Sequence, residues 1–210
     1  MSSMQFLTRL SLPRLAYYRI AAKNPGVVFL SGFKSNMNGE KALALEAFCD
    51  SAGYSFIRFD YTGCGSSEGN SEDCLLGDWK NDVLTVLDNL TTGPQLKKEA
   101  EVMGQYNMPS RYSVTGYHTI KYDFVKEAEG HCLLQGSIPI SCPVRLLHGM
   151  KDDIVPWQNS ITVAEQLTSD DVDVIFRKNG DHRLSQPDDL KLLVAVVDDL
   201  MQKLTKKDLK

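Results

Sequence analysis

Two side chains near the C-terminus have the types and spacing needed for proton transfer. Asp152 lies in His148-Gly149-Met150-Lys151-Asp152-Asp153-Ile154-Val155-Pro156, just beyond the apolar run Val144–Leu147. His182 lies in Asn179-Gly180-Asp181-His182-Arg183, beyond the apolar run Val172–Phe176. A carboxylate beside an imidazole orients the ring and stabilises its cationic form, and such a ring can take a proton from a nucleophile. Thirty residues separate the two, enough for one helix and one strand. Both would then project from one edge of a sheet, where open α/β sheets bind ligands. Taken singly, Asp152 reads as a turn or N-cap aspartate and His182 as a loop histidine. The joint pattern favours an acid and a base. Asp153 is adjacent and open to the same role. His118, His131 and His148 have no comparable setting, and His148 reads as a structural part of the strand end.

The nucleophile that would complete such a triad is missing from its place. In the chain order Ser, Asp, His, the serine stands upstream on a sharp turn between a strand and a helix. The match to Gly-x-Ser-x-Gly is Gly65-Ser66-Ser67-Glu68-Gly69. Gly63 and Gly65 extend the loop before it, and polar residues through Asp73 follow, so no helix begins where the motif needs one. Ser67 is therefore read as part of a structural turn, and as a substitute nucleophile only in the last resort. The same stretch fails as a dinucleotide loop, because Gly63-x-Gly65 would need glycine at position 68, which is Glu68.

Composition narrows the function classes. The 210 residues fit one domain, 1–210. A net charge of −4 gives no footprint for nucleic acid. No apolar run reaches the roughly 20 residues of a transmembrane helix. Five cysteines without a Cys-x-x-Cys pair indicate free thiols and neither a zinc site nor a thioredoxin-type site. No metal or cofactor is implied. Residues 1–39 hold Arg9, Arg14, Arg19, Lys23 and Lys34, and the first acid is Glu40. That is transit-peptide composition. Leu12–Ile20 already reads as strand, so residues 1–20 are taken as a residual targeting segment that runs into the first strand.

The elements that must position these residues alternate. Val27–Leu30 is a buried strand. Asn38 can cap a helix over Gly39–Ala52, whose apolar residues recur at helical spacing, and Gly53 ends it. Tyr54–Asp60 is a strand, and Leu76–Leu90 an amphipathic helix. Strand Val144–Leu147, helix Gln158–Leu167, strand Val172–Phe176 and helix Asp189–Leu204 complete the chain. This alternation implies a mostly parallel sheet with helices on both faces. Between Leu90 and Val144 the alternation lapses. Gln95–Glu101 is charged and helical, Asp123–Gly130 is helical, and residues 96–137 read as a cap or lid rather than as sheet.

Met37–Ala44, Ile57–Tyr61, His148–Trp157 and Asp181-His182-Arg183 resemble the abhydrolase-domain-containing-10 family of the α/β-hydrolase superfamily. The resemblance covers nearly the whole chain. It implies an α/β-hydrolase fold and a mitochondrial serine hydrolase; without working targeting the chain would stay cytosolic. It implies action on acylated proteins as a palmitoyl-protein thioesterase, and on small acyl esters such as the acyl glucuronide of mycophenolic acid. It assigns the acid to Asp152, within Asp-x-x-Val-Pro, and the base to His182. The fold places one oxyanion donor after the first strong strand, here the Phe33 backbone N–H. The resemblance also implies a strand, a nucleophile elbow, a helix and a further strand between Gln95 and Leu96, where this chain has none. The expected molecule is thus an α/β-hydrolase truncated by loss of central strands and catalytically dead for want of its serine. A non-catalytic isoform that binds acyl ligands or partners, and an unstable splice product, are the alternatives.

A compact form without those strands is expected to close the gap by pairing Val27–Leu30 with Val144–Leu147. Unsatisfied backbone groups in the core would otherwise cost about 1–3 kcal/mol each. That closure would set the Ser66-Ser67 turn two strands from the Asp152 strand, which is the one geometric route to a role for Ser67.

Overall fold

The structure, a computed structural model, describes residues 3–91, 106–109, 117–120 and 122–207. Contacts divide the chain into two compact units interleaved along the sequence. One comprises Met1–Ala21, Val27–Gly39 and Phe56–Cys132; the other comprises Ala22–Gly26, Glu40–Ser55 and Leu133–Lys210.

Strands β1 (Gln5–Arg9), β2 (Leu12–Ile20), β3 (Lys23–Phe29) and β4 (Tyr54–Phe59) form one sheet in the order β1-β2-β4-β3. β2 is antiparallel to both β1 and β4. β4 is rich in apolar residues because both its faces are covered: Phe56, Ile57, Arg58 and Phe59 are all buried. Leu15 and Tyr17 of β2 and Ile57 and Phe59 of β4 form a core with Val86 and Leu90 of helix α2 (Leu76–Leu90). Positions 79, 86 and 90 of α2 are buried at helical spacing, as an amphipathic stripe requires. The Asp78 carboxylate accepts the Leu75 N–H at 2.7 Å, which satisfies a donor at the start of α2.

Residues 5–20, expected to mix targeting segment and strand, are two full strands. The basic Arg9 is spent on the fold: its guanidinium meets the buried Asp82 carboxylate of α2 at 2.5 Å. Asp82 also accepts the Thr62 N–H at 2.7 Å. Residues 96–137, read as a cap or lid, hold helix α3 (Tyr122–Glu129), as expected, but also an antiparallel pair, β5 (Tyr106–Pro109) with β6 (Tyr117–Ile120). The expectation that residues 96–137 contain no sheet is therefore corrected. Two four-residue strands bond only to each other, so they leave no long alternating run to read. The Gln95–Leu96 junction and the helix expected over Gln95–Glu101 lie outside the described residues. The Asn38 side chain, expected to cap α1, instead accepts from Arg58 Nη1 at 2.6 Å.

In the second unit β7 (Val144–Gly149) and β8 (Val172–Arg177) run parallel, with Val144 opposite Val172 and His148 opposite Phe176. Helix α4 (Gln158–Gln166) makes the crossover and packs on both strands. Helix α1 (Glu40–Ala52) packs against α5 (Pro187–Lys207). The expected pairing of Val27–Leu30 with Val144–Leu147 is absent among the described residues. β3 ends its sheet beside β4, and β7 pairs with β8 in a separate two-stranded sheet. Each strand takes the neighbour that its own helical crossover delivers, α1 for β3 and β4, and α4 for β7 and β8. With the closure goes the geometric route it offered to Ser67.

Candidate active site

The backbone brings the two candidate side chains together through two glycines. β7 ends at Gly149, and a Cβ there would stand 2.4 Å from the Gly180 carbonyl oxygen. A Cβ on Gly180 would stand 2.5 Å from Leu184 Cδ2. Only residues without side chains allow this approach of the turn after β7 to the loop after β8. The Lys151 N–H donates to the Gly180 carbonyl at 2.9 Å, and the Met150 N–H to that of Arg177 at 2.9 Å. Past His182, the Asp181 carboxylate accepts the Arg183 and Leu184 N–H groups, both at 3.0 Å, and so sets the loop's curve.

Asp152 and His182 meet across this junction. His182 Nδ1 is 3.1 Å from Asp152 Oδ1 and 3.0 Å from Oδ2. A carboxylate can only accept, so Nδ1 carries the proton and Nε2 is the ring's basic nitrogen. Oδ1 also accepts the Ile154 N–H at 2.8 Å and the Val155 N–H at 2.9 Å. Burial would push the Asp152 carboxyl up. The Val155 N–H, the His182 ring and the Ile154 N–H outweigh burial and hold it below its ordinary value. The Asp152 side chain is 6% exposed and that of His182 36%, so a sheltered anion faces a ring that solvent reaches. That is the arrangement of an orienting acid and an accessible base. The neighbouring carboxylate, Asp153, belongs to an exposed residue.

A second ring, read in the sequence as a structural part of the strand end, lies near the same carboxylate. His148 Nε2 lies 3.3 Å from Asp152 Oδ2. The signal that could have found it is the spacing His148-x-x-x-Asp152, four residues across a strand end and a turn.

Phe33 and Ser67 belong to the other compact unit. Phe33 lies in the turn after β3, where the Ser35 N–H donates to the Gly32 carbonyl at 3.0 Å. Its ring packs on Trp79 of α2 and on Phe124 of α3, both at 5.5 Å between centroids, and the residue is 42% exposed. Nothing in the sequence marks this aromatic cluster, because its members are far apart in the chain. The Ser67 hydroxyl is engaged twice: it donates to the Asp60 carbonyl at 2.6 Å and accepts the Ala16 N–H at 2.8 Å. Gly65, at φ +51°, leaves room for the Asp60 carboxylate, which a Cβ would meet at 2.1 Å. Asp60 in turn accepts the Met37 N–H at 2.6 Å and the Ser66 N–H at 2.8 Å. The Gly65–Gly69 match is thus a turn tied down by hydrogen bonds. All five cysteines are free. Burial pushes the Cys49 and Cys64 thiols up to about 11 and Cys74 to about 12, so none of these three offers a thiolate near neutral pH. Among the described residues no cluster of three or more His, Cys, Asp or Glu could hold a metal ion. Among the same residues no helix is long and apolar enough to cross a membrane.

A parallel strand pair crossed by a helix, with an aspartate after one strand and a histidine after the next, defines an α/β-hydrolase. Solved structures agree. A protein of Agrobacterium vitis S4 superposes with a TM-score of 0.83 at 23% identity, over 96% of this chain and 98% of that one, a likeness of fold. The α/β hydrolase domain-containing protein 10 of mouse superposes with a TM-score of 0.87 at 44% identity, over 97% of this chain and 100% of that one. No protein-family model matches the chain. Two curated relatives are named palmitoyl-protein thioesterase ABHD10, mitochondrial. The human protein is 45% identical over 97% of this chain and 82% of its own length. The bovine protein is 46% identical over the same shares. The chain belongs to the ABHD10 family. The matches run over 250 residues, whereas 97% of this 210-residue chain is about 204, so each relative carries about 46 more residues within the matched region.

Proposed function

We propose that this chain derives from a hydrolase of acyl thioesters and esters, with Asp152 as acid and His182 as base, and that in this form it is inactive. The observation that carries the assignment is the Asp152–His182 contact at 3.0 Å. In an active relative His182 Nε2 would take the proton of a serine attacking the acyl carbonyl, and water would then release the acyl-enzyme. The Phe33 N–H would be one donor to the oxyanion. The substrate class follows from the relatives' name: acylated protein, and by the same chemistry small acyl esters, including acyl glucuronides. A mitochondrial location is proposed on the same ground. The shortfall of about 46 residues supports the loss of a strand–elbow–helix–strand block between Gln95 and Leu96, since a β-α-β unit needs about 30 or more. Alternative splicing would produce such a junction and leave the flanks intact.

The test is fluorophosphonate labelling together with thioester hydrolysis. The 210-residue chain is expected to do neither. Inserting the corresponding block of a relative after Gln95 is expected to restore both, and His182→Ala in that restored chain to abolish them. Strong labelling of the present chain, lost in Ser67→Ala, would defeat the proposal.

A second reading is favoured by the Phe33–Trp79–Phe124 cluster, whose half-exposed Phe33 ring offers an apolar face to an acyl chain. As a non-catalytic acyl binder the chain would quench its Trp79 fluorescence on titration with a fatty acyl thioester, and Phe33→Ser would weaken that response.

A further inference from the structure

The turn whose N–H groups hold the Asp152 carboxylate is itself tied to helix α4 by a polar chain through His148. His148 Nε2 stands 3.3 Å from Asp152 Oδ2 and 3.1 Å from the Val155 carbonyl oxygen. His148 Nδ1 stands 2.7 Å from Ser160 Oγ. Partner chemistry assigns the protons. Carboxylate and carbonyl oxygens only accept, so Nε2 carries the ring's hydrogen. A neutral imidazole has a single N–H, so Nδ1 is a lone pair and the Ser160 hydroxyl donates to it. The His148 side chain is 12% exposed, and a sheltered polar ring must find such partners.

We propose that Ser160 and His148 are positioning residues for the acid. The Ser160 hydroxyl fixes His148 as its Nε2–H tautomer, and that N–H holds the Val155 carbonyl while facing Asp152 Oδ2 at 3.3 Å. The Ile154 and Val155 N–H groups of the same turn hold Oδ1. With the turn anchored by His148, the carboxylate keeps the orientation in which it accepts from His182 Nδ1. An aspartate beside a catalytic histidine acts by selecting the ring's tautomer. Here the same kind of selection occurs twice. The first ring is locked by a hydroxyl, and the second is locked by the carboxylate whose turn the first one holds. The inference rests on the reading of Asp152 and His182 as acid and base. It does not depend on the fate of the nucleophile.

A purely local tie of β7 to α4 would cost stability when cut but would leave His182 alone. Nitrogen-15 NMR of the histidine rings in the 210-residue chain at neutral pH separates the two cases. In the parent chain His148 is expected as Nε2–H and His182 as Nδ1–H, the latter proton shifted downfield by Asp152. In Ser160→Ala the His148 ring should become a mixture of tautomers. The His182 Nδ1 proton should exchange with solvent about tenfold faster, the size of effect that a weakened hydrogen bond to a charged group carries, although residue 160 has no hydrogen bond to His182. His148→Leu should do the same more strongly, and His148→Gln, whose amide can still donate to the Val155 carbonyl, should restore the slow exchange. An Nδ1–H tautomer at His148 in the parent chain would overturn the proposal. So would a His182 proton unchanged in Ser160→Ala, a small replacement that keeps the test open should His148→Leu fail to fold. Failure here would leave the hydrolysis experiment on the restored chain unaffected, so the two readings fail separately.

Discussion

At the scale of single residues, Asp152 decides how the site responds to pH. Its carboxyl is held below the ordinary value because three donors outweigh burial. A depressed carboxyl stabilises the folded state above the unfolded value, about 3.9, and loses that contribution as pH falls through the folded value. Asp152→Asn should therefore unfold at lower urea concentration at pH 7, by the equivalent of about 1.5–3 kcal/mol for lost bonds to a charged group. The gap between the two proteins should close as pH falls below the ordinary carboxylate range and through the depressed folded value. A gap that does not change with pH would mean that the charge of Asp152 is not what the donors hold. Asp152 and His182 could be read from the sequence because each follows an apolar strand and the spacing permits one crossover. His148 and Ser160 could not be recognised in the same way. A histidine inside a strand end is ordinarily structural, and its link to a serine twelve residues on exists only once α4 has folded back along β7.

At the scale of elements, the junction of β7 and β8 depends on two positions that tolerate no side chain. Gly149→Ala would set a methyl against the Gly180 backbone, which cannot move aside as a flexible side-chain end could. Overpacking of this kind costs about 1–3 kcal/mol. The expected outcome is a lowered melting temperature together with loss of the downfield His182 proton, because the clash lies in the contact that brings the two loops together. A melting temperature lowered with that proton intact would place the strain elsewhere. The N-terminal hairpin depends on charge instead. Arg9→Met leaves the Asp82 carboxylate buried without its cation, a change that typically costs about 3–5 kcal/mol. Urea unfolding would show it, and a loss under 1 kcal/mol would mean that Thr62 alone satisfies Asp82. The elements read most faithfully are those with their own periodicity. The helix expected over Leu76–Leu90 is α2 without adjustment, and β7, α4 and β8 differ from expectation by one or two residues at their ends. The hairpin was obscured because its arginines share the composition of a targeting segment, and only the fold shows Arg9 paired with Asp82. The β5–β6 pair was obscured because Pro109 and two four-residue strands give no alternation long enough to see.

At the scale of the whole molecule, this chain carries about 46 residues fewer than its relatives within the matched region. Its sheet is present as a four-stranded piece ending at β3 and a two-stranded piece of β7 and β8. Central strands of a parallel sheet are covered on both faces and carry runs of branched apolar residues. Each such side chain contributes about 1.5–3 kcal/mol when fully buried, against a total stability of about 5–15 kcal/mol for a typical domain. A chain without them should therefore be weakly stable, and the block of about 46 residues should change more than catalysis. Inserted after Gln95, it is expected to raise the urea midpoint and also the slope of the unfolding transition, because the slope scales with the surface exposed on unfolding. An addition of about 46 residues to 210 should steepen it by about a fifth if the new strands join a single cooperative sheet. Far-UV circular dichroism across a urea series measures both quantities on the two chains side by side. A restored chain that labels with fluorophosphonate but keeps the original slope would show that the block supplies the serine without completing the sheet. A restored chain with a steeper slope and no labelling would show that it completes the sheet while Asp152 and His182 are not the acid and base of this site.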